Sequence, residues 1–204
     1  AHLGVEYVDQ IYDHGSDGNN VKQPWHDVRN SLGLDFPNVP YLFDGSLKLT
    51  ESKSIMKYLC KKHRPELLGR DAAEVATADM ISRVHDDMHA EFGGHCMKGD
   101  SPELQSLIDQ TALQLSGFLG GKRFMAGELT FVDFSMFELL DHMLWMSSGR
   151  IHEQHGSLKA YHERMLELDG FGEFFRDDSR CPKGPWKPWS AKFNNAGPEA
   201  GSAI

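Results

Sequence analysis

Cysteine is scarce in this chain: three residues in 204, at Cys60, Cys96 and Cys181. So few, in an odd number, argue against a disulfide scaffold and suit a reducing compartment. The expected setting is cytoplasmic. Long apolar runs are missing as well. No stretch approaches the ~18 residues of a membrane span, and no signal peptide is recognisable. Basic charge is in short supply, with 21 Lys and Arg against 30 Asp and Glu, a formal net charge of −9. Phosphate backbones and anionic lipids are bound by clustered Lys and Arg, so neither nucleic acid nor membrane is an expected partner. No internal repeat occurs. What remains is ordinary for a globular protein, 40% hydrophobic and 25% charged. The length suits one large domain or two small ones.

The most informative stretch is residues 32–54, LGLDFPNVPYLFDGSLKLTESKS. Two short β-like runs, one with Tyr41, Leu42 and Phe43 and one with Leu47 and Leu49, meet at Asp44-Gly45 and read as a hairpin. Thr50 is placed to cap a helix that follows over residues 52–63. Ile55, Met56 and Leu59 of that helix are expected to face inward. Pro40 enters the first strand, where proline is tolerated, and a cis Val39-Pro40 bond would turn the Val39 backbone into a cleft. Glu51 and Ser52 fall in the first helical turn, where backbone N–H groups attract anions. Together these groups suit a small zwitterion with a peptide backbone. Val39 would pair with an extended peptide, Ser52 and the helix start would hold a carboxylate, and Glu51 would meet an ammonium.

Upstream, Leu3, Val5, Tyr7 and Val8 read as the end of a helix, and residues 10–13 as a short strand. Residues 14–24 form a polar connector. Pro24 then opens a short helix on which Trp25 and Arg29, four apart, share a face. Residues 64–70 read as a linker.

The second half is helical. Asp71 to Glu74 has the form of a capping box. Ile81, Val84, Met88 and Phe92 recur at helical spacing. Ser101-Pro102 starts another helix, striped by Leu104, Leu107, Ile108, Leu115, Phe118 and Leu119, which Gly120-Gly121 ends. Thr130 to Asp133 is the clearest capping box, with Leu129 and Phe134 set for a hydrophobic staple. Phe134, Phe137, Leu140, Met143 and Leu144 line the helix behind it. Another helix carries Leu158, Tyr161, Met165 and Leu168. Beyond Cys181, a tail rich in Pro, Gly and Asn carries Trp186, Trp189 and Phe193.

The segment LGLDFPNVPYLFDG with LTES resembles the glutathione-binding core of mu-class glutathione transferases. FMAGELTFVDF, residues 124–134, is similar to the capping segment of the same family's helical domain. The resemblance runs over about residues 3–190. It implies a thioredoxin-like α/β N-terminal domain over 1–64, followed by an all-α C-terminal domain with an extended tail over 71–204. It implies glutathione as co-substrate rather than a cofactor, a hydrophobic electrophile as second substrate, and a homodimer. The implied glutathione-binding residues are Trp25, Arg29, Asn38, Val39, Pro40, Glu51 and Ser52. Asp87 matches an aspartate that reaches the partner subunit's glutathione, with Asp86 one position away. Phe36 matches the aromatic that inserts into the neighbouring subunit.

The family opens with a strand bearing a tyrosine that stabilises the glutathione thiolate. By the same resemblance this chain begins inside the first helix, so that strand is expected to be absent. Only 18 positions separate Tyr7 from Trp25, too few for a full helix, a strand and their connectors. Tyr7 is therefore not expected to replace the missing hydroxyl, and no catalytic residue is assigned. Met97 stands near where mu enzymes carry a tyrosine over the electrophile. The alternative to an enzyme is a non-catalytic relative serving as a structural or interaction subunit, in which case a larger assembly is open. His85 and His89, four apart and near Asp86, His95 and Cys96, have permissible metal-ligand spacing. They lack the glutamate of a zincin motif, and no metal site is expected.

Overall fold

The computed structural model describes residues 1–12 and 23–177. Residues 13–22, with most of the expected connector, and the tail with Cys181, Trp186, Trp189 and Phe193 lie outside them. Two compact units are present: Val5–Glu66, and Ala1–Gly4 together with the chain from Leu67 onward.

The smaller unit contains α1 (Gln23–Val28), β1 (Tyr41–Asp44), β2 (Leu47–Thr50) and α2 (Ser52–His63). The strands pair antiparallel, Tyr41 opposite Thr50 and Asp44 opposite Leu47. The tight turn is therefore Gly45-Ser46, one position later than Asp-Gly. Gly45 sits at φ 61°, as the first position of a type II′ hairpin turn requires. The loop before β1 is pinned by the Lys48 ammonium, which donates to the Leu32 carbonyl and lies 5.1 Å from the centre of the Phe43 ring. Asp44 at the end of β1 accepts from Tyr58 at 2.7 Å and from Lys62, both on α2. That pairing holds the Asp44 carboxyl below its ordinary range and ties the helix to the hairpin.

Residues 5–12 form neither the helix end nor the strand expected of them. Tyr7, Val8 and Ile11 are exposed, so no burial supports a short helix, which is marginal alone. Residues 10–12 have no strand beside them, because the only sheet among the described residues is β1-β2.

A 3₁₀ turn, Pro65–Leu68, leads into the helical unit. This comprises α3 (Ala72–Cys96), α4 (Pro102–Leu119), α5 (Phe131–Met146), α6 (Arg150–Gln154), α7 (Gly156–Leu166) and α8 (Phe171–Arg176). α5 is the axle, packed against α3, α6 and α7. It is buried around most of its circumference, the signature of a core helix. Its start rests on Asp133. One carboxylate oxygen accepts from the Met125 N–H and the other from the Thr130 N–H, each at 2.8 Å. Tyr161 of α7 donates to the same carboxylate at 3.2 Å and to the Asp133 carbonyl at 3.0 Å. Burial pushes the Asp133 carboxyl above its ordinary range against these hydrogen bonds.

The Asp71 cap differs in detail from the capping box expected of it. Asp71 accepts from the Ala73 and Glu74 N–H groups, but Glu74 reaches back to Arg70 rather than to Asp71. Ser101 caps α4 by accepting from Leu104. On α3 the inward face is Ala78, Ile81, Ser82, His85, Phe92 and Cys96. Val84 is exposed instead, at the edge of the stripe, about 100° around the helix from His85. On α4, Phe118 is also exposed, with Lys122 over its ring at 3.5 Å. Gly172 cannot be replaced cheaply: a Cβ there would lie 1.8 Å from the Leu166 carbonyl oxygen.

Candidate functional site

The hairpin register decides which of the candidate residues meet. Tyr41 faces Thr50 as the last pair. The next residues outward, Pro40 and Glu51, therefore leave the sheet side by side. This brings Asn38, Val39 and Pro40 to the same open end as Glu51 and Ser52. All five are exposed. The Val39-Pro40 bond is cis. The Val39 N–H is held by the Asn38 side-chain oxygen at 2.9 Å, so a bound peptide must displace that contact.

The cap of α2 is Glu51, not Thr50. Its carbonyl accepts the first helical hydrogen bond, from Ile55 at 3.0 Å, while its own side chain caps nothing. Glu51 adopts φ 70° and ψ 112°, a conformation rare outside glycine. Backbone strain of this kind costs on the order of 1–3 kcal/mol and gathers at functional positions. Here it swings the chain from β2 directly into α2 and leaves the first N–H groups of the helix without a carboxylate cap from Glu51. A twelve-residue helix with its positive end toward solvent attracts an anion.

Trp25 is buried, at 6% exposure, rather than on the surface. Its indole stacks on Tyr41 with centroids 6.0 Å apart, and the Tyr12 ring meets its edge. Arg29 lies one residue beyond the end of α1, half-buried, its N–H donating to the Trp25 carbonyl at 3.0 Å. Tyr12 was not foreseen as a partner. Its hydroxyl is 2.8 Å from that of Tyr41, and burial, then Tyr12, pushes the Tyr41 phenol up to about 12. No motif in the sequence signalled this pair, since the contact joins residues 29 apart.

Phe36 is 78% exposed. Asp87 belongs to the other unit, exposed on α3 and paired with Arg83 at 3.1 Å. Arg83 also reaches Asp86, at 3.5 Å. His85 and His89 stack at 5.7 Å, with His85 buried. Among the described residues no three His, Cys, Asp or Glu side chains gather to hold a metal. The open groove of about 450 Å³ along α3 and α4 has a mixed lining, with Glu91, His95, Glu103 and Gln110 beside Pro102 and Leu107.

All five tyrosines of the sequence fall among the described residues. Tyr12 and Tyr41 are bonded to each other, Tyr58 to Asp44, and Tyr161 to Asp133. Tyr7 stands exposed in the irregular segment before the connector.

The fold defines a class: a small thioredoxin-like unit with a two-stranded sheet, followed by a helical domain. Family models agree on both parts. The glutathione S-transferase N-terminal domain matches residues 1–61, and the glutathione S-transferase C-terminal domain matches residues 86–178. A glutathione S-transferase of Dermatophagoides pteronyssinus is 32% identical over 200 residues, 95% of this chain and 90% of that protein. Glutathione S-transferase Mu 5 of Rattus norvegicus is 32% identical over 196 residues, 94% of this chain and 85% of that protein. The crystal structure of the glutathione S-transferase Blo t 8 superposes with a TM-score of 0.71 at 28% identity, covering 84% of this chain and 82% of that one. The chain belongs to the glutathione S-transferase family, and its relatives include mu-class members.

Proposed function

We propose that the chain binds glutathione along the open end of the β1-β2 hairpin. The Val39 backbone pairs with the peptide, and Ser52 with the start of α2 holds a carboxylate. Glu51 meets the ammonium, and Trp25 with Arg29 flanks the glycyl end. The observation that carries this reading is the register that sets Pro40 beside Glu51. In this reading the protein is a homodimer in a cytoplasmic setting. The exposed Phe36 enters the partner, and Asp87 of one copy approaches glutathione on the other. The second substrate is a hydrophobic electrophile, attacked by the glutathione thiolate. Calorimetry tests the site. Ser52→Ala should weaken glutathione binding by about 1.5–3 kcal/mol, the worth of a hydrogen bond to a charged group. Equal affinity in both proteins would remove Ser52 from the site.

A second reading, binding without efficient conjugation, is favoured by the tyrosines. Four of the five hydroxyls are already committed to intramolecular partners, and Tyr7 lies apart from the hairpin in sequence and in regular structure. Losing a preorganised donor to an anion costs ~10²–10³ in rate. Bound glutathione would then titrate near the free thiol value of about 8.5. A conjugation assay with a chromogenic electrophile across pH, on protein of this sequence, separates the two readings. Turnover within tenfold of an ordinary family member would decide for the enzyme. Low turnover rising toward pH 8.5 with binding intact would decide for the non-conjugating form.

A further inference from the structure

Two histidines lie together in the helical unit, His162 buried and His152 half-buried. His162 on α7 is buried at 6% exposure and stacked on Phe137 of α5, centroids 4.6 Å apart. Its Nε2 lies 3.0 Å from the Asp141 carboxylate. His152 on α6 packs edge-on against it, ring centroids 5.0 Å apart. The Nε2 of His152 is buried with no hydrogen-bond partner. Charging the imidazole there would leave that buried nitrogen without a hydrogen-bond acceptor.

The five-residue helix α6 that carries His152 follows two residues of unusual backbone. Immediately before it, Ser148 at φ 51° and Gly149 at φ 87° place two consecutive residues in left-handed backbone. A non-glycine residue in such backbone is held there by its surroundings. α6 packs on α5 and α7 alone among the strongly contacting elements. Ile151, fully buried, and the Arg150 pairing with Asp109 and Gln105 keep its first turn seated.

We propose that the His152–His162 pair is a proton-operated latch, in which charging His152 in mild acid shifts the α6–α7 edge from closed to open. The groups acting on His152 come from both elements packed against it: His162, Glu163 and Lys159 from α7, and Asp141 from α5. Asp141 is paired with His162, and Glu163 with Asp141 favours a charged His152 less than burial and His162 oppose it. Burial first, then His162, hold the His152 imidazole down at about 4, against an ordinary 6.5. The closed form therefore excludes a proton that the open form accepts. Its advantage is complete above pH 6.5 and is lost as pH falls toward about 4. One proton gained on opening changes the open-to-closed ratio by up to tenfold per pH unit, and partial solvent access reduces this, to roughly three- to tenfold.

Hydrogen exchange on the full chain tests the latch, with rates corrected for the intrinsic pH dependence. Amides of residues 150–158 should exchange roughly three- to tenfold faster per pH unit lowered between pH 6.5 and 4.5, while those of α3 and of residues 131–141 keep their protection. His152→Leu should flatten the dependence, and His162→Phe should reduce it. An unchanged slope in His152→Leu, a flat wild type, or loosening of all helices in step would each overturn the proposal. Should His152→Leu not fold, the wild-type imidazole resonances decide: His152 must stay neutral at pH 5.5. Titration near 6.5 would overturn the latch as surely.

Discussion

In the helical unit, α5 is enclosed by α3, α6 and α7, and its apolar residues from Phe131 to Met146 are almost all hidden. Among the described residues of Val5–Glu66 the buried apolar side chains are Trp25, Leu34 and Cys60, and the sheet has two strands. A two-stranded sheet is marginal alone and needs a helix or further strands against it. The first region is stabilised by burial on every side. The second relies on point contacts, such as Lys48 to Leu32 and Lys62 with Tyr58 to Asp44. The candidate binding groups all stand in the second region, Asp87 excepted. Residues that must meet a ligand have to stay exposed, and exposure forgoes the stabilisation that the core of the helical unit enjoys.

The contrast can be broken most severely at Asp133. Asp133→Ala strands the Met125 and Thr130 N–H groups and the Tyr161 hydroxyl in the core, and should cost about 3–5 kcal/mol of stability. Urea denaturation measures it, with helix content as the signal. A loss under about 1 kcal/mol would mean that the capping box is ornamental to the core. Phe36→Ala tests the opposite extreme, an exposed residue. It should leave the monomer's stability unchanged yet lose roughly 3 kcal/mol of dimer affinity, read by sedimentation across concentration. An unaltered dimer, or a wild-type monomer, would contradict the proposed contact. The smallest effect is at Glu51. Glu51→Gly relaxes the φ 70° backbone and should stabilise the chain by about 1 kcal/mol, while glutathione affinity falls. Thermal denaturation and calorimetry on the same samples show whether strain and binding are traded at this residue.

Much of this was legible in the residues. The hairpin, the start and end of α2, the Ser101 cap and the Thr130–Asp133 box rest on local chemistry, and each forms where its residues stand. The misreadings share a cause. Thr50 has the cap chemistry, but the sharp turn at Glu51 moves the cap one residue on. Val84 and Phe118 fit the helical period, yet sit at the edge of their stripes, where packing rather than spacing chooses the buried side. Residues 5–12 carry apolar side chains that find no cover, so no helix or strand is held there.

The sequence by itself determined the family, the two-part plan and the starts of α2, α3, α4 and α5. Those depend on side-chain type and spacing within a few residues. Only the tertiary structure set Pro40 beside Glu51, buried Trp25 between Tyr12 and Tyr41, and laid His152 against His162. Such contacts join residues 10 to 29 positions apart. Their formation depends on how whole elements pack, and no local preference encodes that.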